Sequence, residues 1–400
     1  MIQNIGDSRH ILVDITLLML SICATMKVLL ISPYHGGSHQ AWAEGYQKYS
    51  THHPSLLTLP ARYWKWRMHG GAVTLAQKFT EAHFDPDVIM VTDMLDLSTF
   101  LSLTREKTAG TPVVLYMHEN QLTYPLPKDL QSGPMRRQHG ERDLHYAFIN
   151  YASMLSADRI VFNSAFHRRS FFDGLPRFLN HFPEFREKHT VEQLKEHSLV
   201  LPVGLDLEKL QPPCPNPEQR LPLILWNQRW EYDKNPEEFF RVVFALADEG
   251  IPFELAVCGK SFQQPPPIFD LASRKLKSHV VHWGYAQPHV YRKLLWDSTL
   301  TISTALHEFF GISILEAAFC QTLPLVPNRL SYPEIIPNEF HESCLYNCED
   351  ELLEKLKLVL GNPESIRKTT RALATQAESY SWNKWAPKYD LLLKEINSIR

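Results

Sequence analysis

Lys27-Val-Leu-Leu-Ile-Ser32, which directly follows Met26, decides the fold. Four consecutive apolar residues between a Lys and a Ser suit a strand buried on both faces, as strands of parallel sheets are. The pattern recurs at Val88–Val91, Val113–Met117, Arg159–Phe162 and Leu199–Leu201. Segments with helical spacing lie between these runs, for example Gly45–Tyr49 and Asp143–Ser156. Strands alternating with helices predict βαβ units and a doubly wound α/β sheet. The alternation stops at Gln211-Pro-Pro-Cys-Pro-Asn-Pro-Glu218, where four prolines in eight residues make an extended connector. A second series then begins with Leu221–Trp226, Phe253–Cys258, Val280–Trp283, Leu300–Ser303 and Leu323–Val326. Two Rossmann-like domains are therefore expected, at 26–210 and 221–380, with a Pro-rich linker at 211–220. A C-terminal helix at 381–400 is expected to pack back towards the first domain. A chain of 400 residues also exceeds what one core usually supports.

Composition narrows the function. The chain carries 41 Lys plus Arg against 44 Asp plus Glu, a formal net charge of −3. Bulk positive charge is thus excluded as a means of holding nucleic acid, and any such contact must come from a local patch. Six cysteines form no CxxC pair, so neither a zinc ribbon nor a thioredoxin-like motif is available. Ile11–Ala24 is an apolar run broken by Asp14, too short for a membrane span and without the positive start of a signal peptide. Residues 1–25 read as an upstream extension, with Met26 as the natural start. The expectation is a cytoplasmic protein with no stable membrane association.

The second series carries the most legible chemistry. Glu308 and Glu316 stand eight positions apart, and Gly311 marks a turn between them. Ile-Ser-Ile-Leu-Glu-Ala-Ala should open a helix at Ile312, which leaves the N–H groups around Phe310–Ser313 free at its positive end. Such an end suits a diphosphate. Arg229 and Lys234, five apart in the loop after a strand, can grip the same group from the other side. Taken alone, each pair is also compatible with a solvated surface.

Longer motifs extend the pattern. Val257-Cys-Gly259, His282-Trp283-Gly-Tyr285 and Glu308-x7-Glu316 resemble the nucleotide-sugar site of retaining GT-B glycosyltransferases of family 4. Pro33-Tyr-His-Gly-Gly-Ser-His39, Leu59-Pro-Ala-Arg-Tyr-Trp-Lys-Trp-Arg67 and Tyr116-Met-His-Glu-Asn-Gln-Leu-Thr-Tyr-Pro125 resemble one branch, the tRNA-queuosine α-mannosyltransferases. Val161-Phe-Asn-Ser164, Tyr332-Pro-Glu-Ile335 and Ser381-Trp do so too.

The resemblance implies two facing domains with the active site in the cleft between them. The C-terminal domain would bind GDP-mannose as co-substrate, with no resident cofactor and no metal, and the N-terminal domain would bind a queuosine-containing tRNA. Glu308 would contact donor-sugar hydroxyls, Glu316 the ribose, and Arg229 and Lys234 the leaving diphosphate. Gly36 and Gly37 would let backbone approach the donor, and Phe310, Gly311, Ile312, Gly259 and Trp283 would line its site. Phe309-Phe310 stands where a small residue often precedes the Phe, which would crowd the sugar pocket. His118, at the end of a strand, would contact the reacting sugar or act as a base. Arg62, Trp64, Lys65, Trp66 and Arg67 interleave cations with aromatics, the combination that stacks bases and holds phosphates. With Glu119, Asn120, Arg136 and Arg137 they are the expected acceptor contacts. Two other readings stay open: a family 4 transferase with a lipid or saccharide acceptor, and a non-catalytic binding protein.

Overall fold

The recurrent apolar runs build two six-stranded sheets, parallel throughout. The computed structural model describes residues 25–125, 135–212, 221–260 and 265–398, without the side chains of 135–143. The expected extension and linker lie outside these residues, apart from Thr25, Gln211 and Pro212.

The first half runs β1 (Val28–His35), α1 (Gly37–Tyr49), β2 (Ser55–Pro60), α2 (Trp64–Glu81), β3 (Val88–Thr92), α3 (Leu97–Thr108) and β4 (Val113–Met117). It continues with α4 (Met135–Leu155), β5 (Arg159–Phe162), α5 (Ala165–Leu179), α6 (Thr190–Glu196) and β6 (Ser198–Val200). Its strand order is β2-β1-β3-β4-β5-β6. The second half runs β7 (Leu223–Asn227), α7 (Pro236–Asp248), β8 (Glu254–Cys258), α8 (Ile268–Lys275), β9 (Val280–Gly284) and α9 (Pro288–Asp297). Then come β10 (Leu300–Ile302), α10 (Ile312–Phe319), β11 (Leu323–Pro327), α11 (Tyr332–Ile335), α12 (His341–Cys344) and β12 (Leu345–Tyr346). Helices α13 (Glu349–Gly361), α14 (Arg367–Ala377) and α15 (Trp382–Ser398) close the chain. This sheet has the order β12-β11-β10-β7-β8-β9.

Both orders place a site. Ligands of open α/β sheets bind beyond the carboxyl ends of the strands, where the winding reverses. The first sheet reverses between β1 and β3, and the second between β7 and β10. The central strands are buried on both faces, as the continuous apolar runs require.

Helix α15 crosses back onto the first half. Asp390 accepts hydrogen bonds from Tyr46 Oη (2.8 Å), Ser50 Oγ (2.6 Å), Thr51 N (2.9 Å) and Thr51 Oγ1 (2.7 Å). Trp382 packs over Gly45 so closely that a Cβ there would lie 2.1 Å from its Nε1. No helix among the described residues is long and apolar enough to cross a membrane.

Candidate active site

The strand β7 ends at Asn227, and the loop that follows turns its polar side chains towards the reversal point. Asp233 lies at the centre of this loop's ion pairs. Its Oδ2 lies 3.4 Å from both Arg229 Nη2 and Lys234 Nζ, so one carboxylate holds both cations. Burial alone would raise the Asp233 carboxyl, but Lys234 and Arg229 outweigh it and hold the group below its ordinary value. Lys234 is buried and donates to the His307 carbonyl (2.8 Å) and to Glu308 Oε2 (3.2 Å). Glu308 is likewise pushed up by burial and, on balance, held low by Lys234. Arg229 keeps 47% of its side-chain surface open and reaches Tyr124 Oη of the other half at 3.4 Å.

The second glutamate sits about one turn into α10. Its Oε2 accepts from Tyr291 Oη of α9 (2.9 Å), and Asn227 Nδ2 in turn donates to that hydroxyl (3.2 Å). Burial pushes the Glu316 carboxyl up to about 7, with Tyr291 opposing the rise. Gly311 caps α10 at φ +101°, in the region that favours glycine, and no side chain caps the helix. The first N–H groups of α10 thus have no side-chain cap. One detail differs: the Phe310 N–H already donates to Glu308 Oε1 (3.3 Å), so the open donors begin at Gly311.

The side chains of several expected donor contacts take part in packing. Phe310 is buried against Tyr380, and Phe309 stacks on His167 at 3.8 Å between ring centroids. Phe310 thus packs into the core, and Phe309 lies between the rings of His167 and His307, the latter at 4.3 Å. Trp283 packs on Trp230, Phe240 and Phe269. Gly259 lies beneath the cation loop, where a Cβ would meet the Gln228 carbonyl at 2.2 Å. Ile312 is half-buried at the start of α10. Gly36 and Gly37 sit at the end of β1, and only Gly37 has a positive φ, +56°. Gly36 is extended; there glycine is required by Ala61, whose Cβ would be 2.5 Å from an added Cβ.

Opposite this half, β4 ends at His118. Its ring packs on His39 (4.4 Å), Trp42 (4.7 Å) and Tyr116 (4.8 Å), and its Nε2 is buried without a partner. Burial, reinforced by His39, holds its pKa well below the usual range, so the ring is neutral at pH 7. His39 is driven down to about 4 by burial and by Arg229. The buried Asp93, at the end of β3, accepts the His118 N–H (2.8 Å) and is pushed well up by burial.

Beyond His118, the loop bridges the cleft. Asn120 is fully buried, and its Oδ1 accepts from Leu122 N, Thr123 N and Thr123 Oγ1 (3.1, 2.9 and 3.1 Å). Its Oδ1 shapes the turn, while its Nδ2 is buried without a partner. Glu119 is half-buried, and Arg229 opposes the rise that burial imposes on it. Tyr124 sits 4.4 Å from His307, and Pro125 O accepts from Tyr232 Oη (2.7 Å).

The aromatic–cation run divides at the start of α2. Trp64 and Met68 are one turn apart and face inwards, Trp64 against Tyr146 at 5.3 Å. Trp64 is therefore half-buried against this small cluster, with the Lys65 ammonium over its ring. Arg67 Nε donates to Pro60 O (3.1 Å). Arg62 and Lys65 are exposed, Trp66 is 62% exposed, and Tyr63, absent from the expected contacts, is 80% exposed at φ +51°. Since Ala61 touches Gly36, this face begins beside the cleft. The side chains of Arg136 and Arg137 lie outside the described residues.

Asp233, Tyr291, Asn227 and His39 are further candidate site residues that the spacing arguments passed over. All but Tyr291 lie in or beside quoted motifs, but nothing in a lone sequence separates a cation-holding Asp from a solvated one. Among the described residues no group of three His, Cys, Asp or Glu side chains is placed to hold a metal ion.

Comparisons with known proteins agree with this arrangement. A family model described as tRNA-queuosine alpha-mannosyltransferase N-terminal matches residues 27–205, and one described as Glycosyl transferases group 1 matches 212–378. The tRNA-queuosine alpha-mannosyltransferase of Drosophila melanogaster is 34% identical over 386 residues, 94% of this chain and 98% of that protein. A GDP-mannose-dependent alpha-(1-6)-phosphatidylinositol dimannoside mannosyltransferase of Mycobacterium tuberculosis is 22% identical, over 82% of this chain and 80% of its own. Among solved structures, a sucrose-phosphate synthase from Thermosynechococcus elongatus superposes with a TM-score of 0.69 at 14% identity. It covers 94% of this chain and 100% of its own, which shows the shared GT-B fold. With each half matched by a glycosyltransferase model and one relative aligned end to end, this glycosyltransferase belongs to the tRNA-queuosine α-mannosyltransferase family.

Proposed function

We propose that the protein transfers mannose from GDP-mannose, with retention, to the cyclopentene-diol of queuosine in the anticodon of tRNA-Asp. The observation that carries the reading is the Arg229–Asp233–Lys234–Glu308 cluster facing the open N-terminus of α10. The name of the full-length relative supports the acceptor, and that of the mycobacterial relative supports the donor.

The diphosphate lies against Arg229, Lys234 and the N–H groups from Gly311 onwards, with the Gly36-Gly37 backbone closing from the other half. These cations neutralise the charge that develops on the leaving group, without a resident cofactor or metal. Glu316 accepts from the ribose hydroxyls and Glu308 from the sugar hydroxyls. Neutral His118 contacts the sugar and does not serve as a strong base. The acceptor oxygen bonds to C1 of mannose on the face from which GDP departs. The C1–O bond to the diphosphate breaks, and the acceptor proton passes to the leaving phosphate oxygen. Arg62, Lys65, Tyr63 and Trp66 hold the RNA beside the cleft, with Glu119 near the acceptor. A tRNA acceptor places the reaction in the cytoplasm.

The test is transfer of labelled mannose from GDP-mannose to two tRNA-Asp preparations, one with queuosine and one with guanine at that position. Label is expected only in the first. Label in both, or in neither, contradicts the acceptor assignment.

A further inference from the structure

Two motifs, Val161-Phe-Asn-Ser164 and Tyr332-Pro-Glu-Ile335, have so far no part in the chemistry. The structure brings them together across the cleft. Helix α5 starts at Ala165, and its first three N–H groups need partners. Ser164 Oγ accepts the one from His167 (2.9 Å). Glu334, from the opposite half, accepts the other two: Ala165 N to Oε1 (2.7 Å) and Phe166 N to Oε2 (2.9 Å). A carboxylate at a helix N-terminus is favoured by the helix dipole as well.

The same turn grips both sides of the reaction centre. Ser164 Oγ donates to the Phe309 carbonyl (2.5 Å), the residue next to Glu308. Ser331 Oγ, three residues before Glu334, lies within hydrogen-bond distance of the Glu308 (3.3 Å) and Phe310 (3.0 Å) carbonyls. Asn163 Nδ2 donates to the His118 carbonyl (2.9 Å), and Asn163 Oδ1 accepts from His167 Nδ1 (2.9 Å). The His167 ring then stacks on Phe309. The Phe309 carbonyl next to Glu308 and the carbonyl of His118 are thus tied to adjacent residues of one turn.

We propose that Asn163-Ser164 and Glu334 form a clasp that joins the two halves and sets Glu308 in register with His118. Glu334 and Ser164 are positioning residues: neither touches the reacting atoms. The inference rests on the site reading above, and its effect falls mainly on the reaction step, since the charged donor groups Arg229, Lys234 and Glu316 all lie within one half.

The test uses the full chain with Glu334→Ala, Glu334→Gln, Ser164→Ala and the double variant Glu334→Ala/Ser164→Ala. Steady-state transfer, GDP-mannose Kd, melting temperature and small-angle scattering are measured on each. Glu334→Ala is expected to lower kcat about fivefold while donor Kd moves less than twofold. Glu334→Gln, which keeps one acceptor oxygen, is expected to fall between it and the wild type. The double variant is expected to lose no more than the worse single one, because both act through one clasp. Ser164→Ala also removes the helix cap, so its melting temperature separates misfolding from mispositioning. Unchanged kcat in Glu334→Ala, or a loss carried wholly by donor Kd, overturns the proposal. If the wild type makes no product from GDP-mannose, the donor reading fails and scattering decides on the clasp. A larger radius of gyration in the double variant then supports it, and identical curves overturn it.

Discussion

Replacing Lys234 with methionine keeps the length of the stem and removes the charge. In the protein this ammonium lies 3.2 Å from Glu308 Oε2 and 3.4 Å from Asp233 Oδ2, and it is almost wholly buried. Removing one partner of a buried pair costs about 3–5 kcal/mol, because a charge is left uncompensated. Here the lower end applies. Asp233 keeps Arg229 at 3.4 Å, and Glu308 retains 21% of its side-chain surface in contact with solvent. A loss of about 3 kcal/mol corresponds to a fall in Tm of about 6–12 °C for a unit of this size. Transfer should fall further, by about 10²–10³-fold, as when one preorganised partner of a developing anion is removed. Adding Asp233→Asn removes one of the two carboxylates that Lys234 had neutralised, so part of the stability returns while activity stays lost. The sign with pH follows from the shifts. Asp233 and Glu308 both have depressed values in the folded wild type, so their contribution is present above the usual carboxylate range and is lost as pH falls below it. The Tm gap between wild type and Lys234→Met should therefore narrow on acidification towards pH 4. Calorimetry from pH 4 to 8, with single-turnover transfer at pH 7, checks each part. Wild-type turnover in Lys234→Met, or activity restored together with stability in the double variant, would refute the reasoning.

The remaining expectations address the other groups. Glu316 must be ionised to accept two ribose hydroxyls, and burial raises it to about 7. Donor affinity should thus rise with pH to a plateau above 7, and Glu316→Gln should flatten the curve; a wild-type Kd independent of pH from 6 to 8 would contradict the assignment. Glu308→Ala should abolish transfer with the fold intact, as read by turnover and circular dichroism. Arg62→Ala with Lys65→Ala should weaken tRNA binding and reduce the slope of log K against log salt by about 1.4, at about 0.7 for each single-strand phosphate contact. An unchanged slope would place the RNA elsewhere.

Much of this architecture was legible because parallel strands buried on both faces announce themselves as continuous apolar runs. Strands were missed where that condition fails. Strand β2 is an edge strand whose residues alternate between buried and exposed, and β12 is only two residues long. The cations and glutamates were legible through spacing, since a loop and a helix N-terminus place them beyond the carboxyl ends of the central strands β7 and β10. What spacing does not encode is which way a side chain turns. Trp64 and Trp66 are alike in sequence, and the start of α2 at Trp64 sends one inwards and leaves the other in solvent. Asn120 and Phe310 sit among site residues, but one folds its loop and the other fills the core. The pairing of Glu334 with α5 joins residues 169 and 168 positions apart, and no local pattern reports it.

The most direct measurement is mass analysis of nucleosides from queuosine-containing tRNA-Asp after incubation with the protein and GDP-mannose, with Glu308→Ala in parallel. A queuosine peak heavier by one hexose in the wild type, and absent in Glu308→Ala, is the expected result. Unmodified queuosine in the wild type, or equal conversion by Glu308→Ala, would contradict the account.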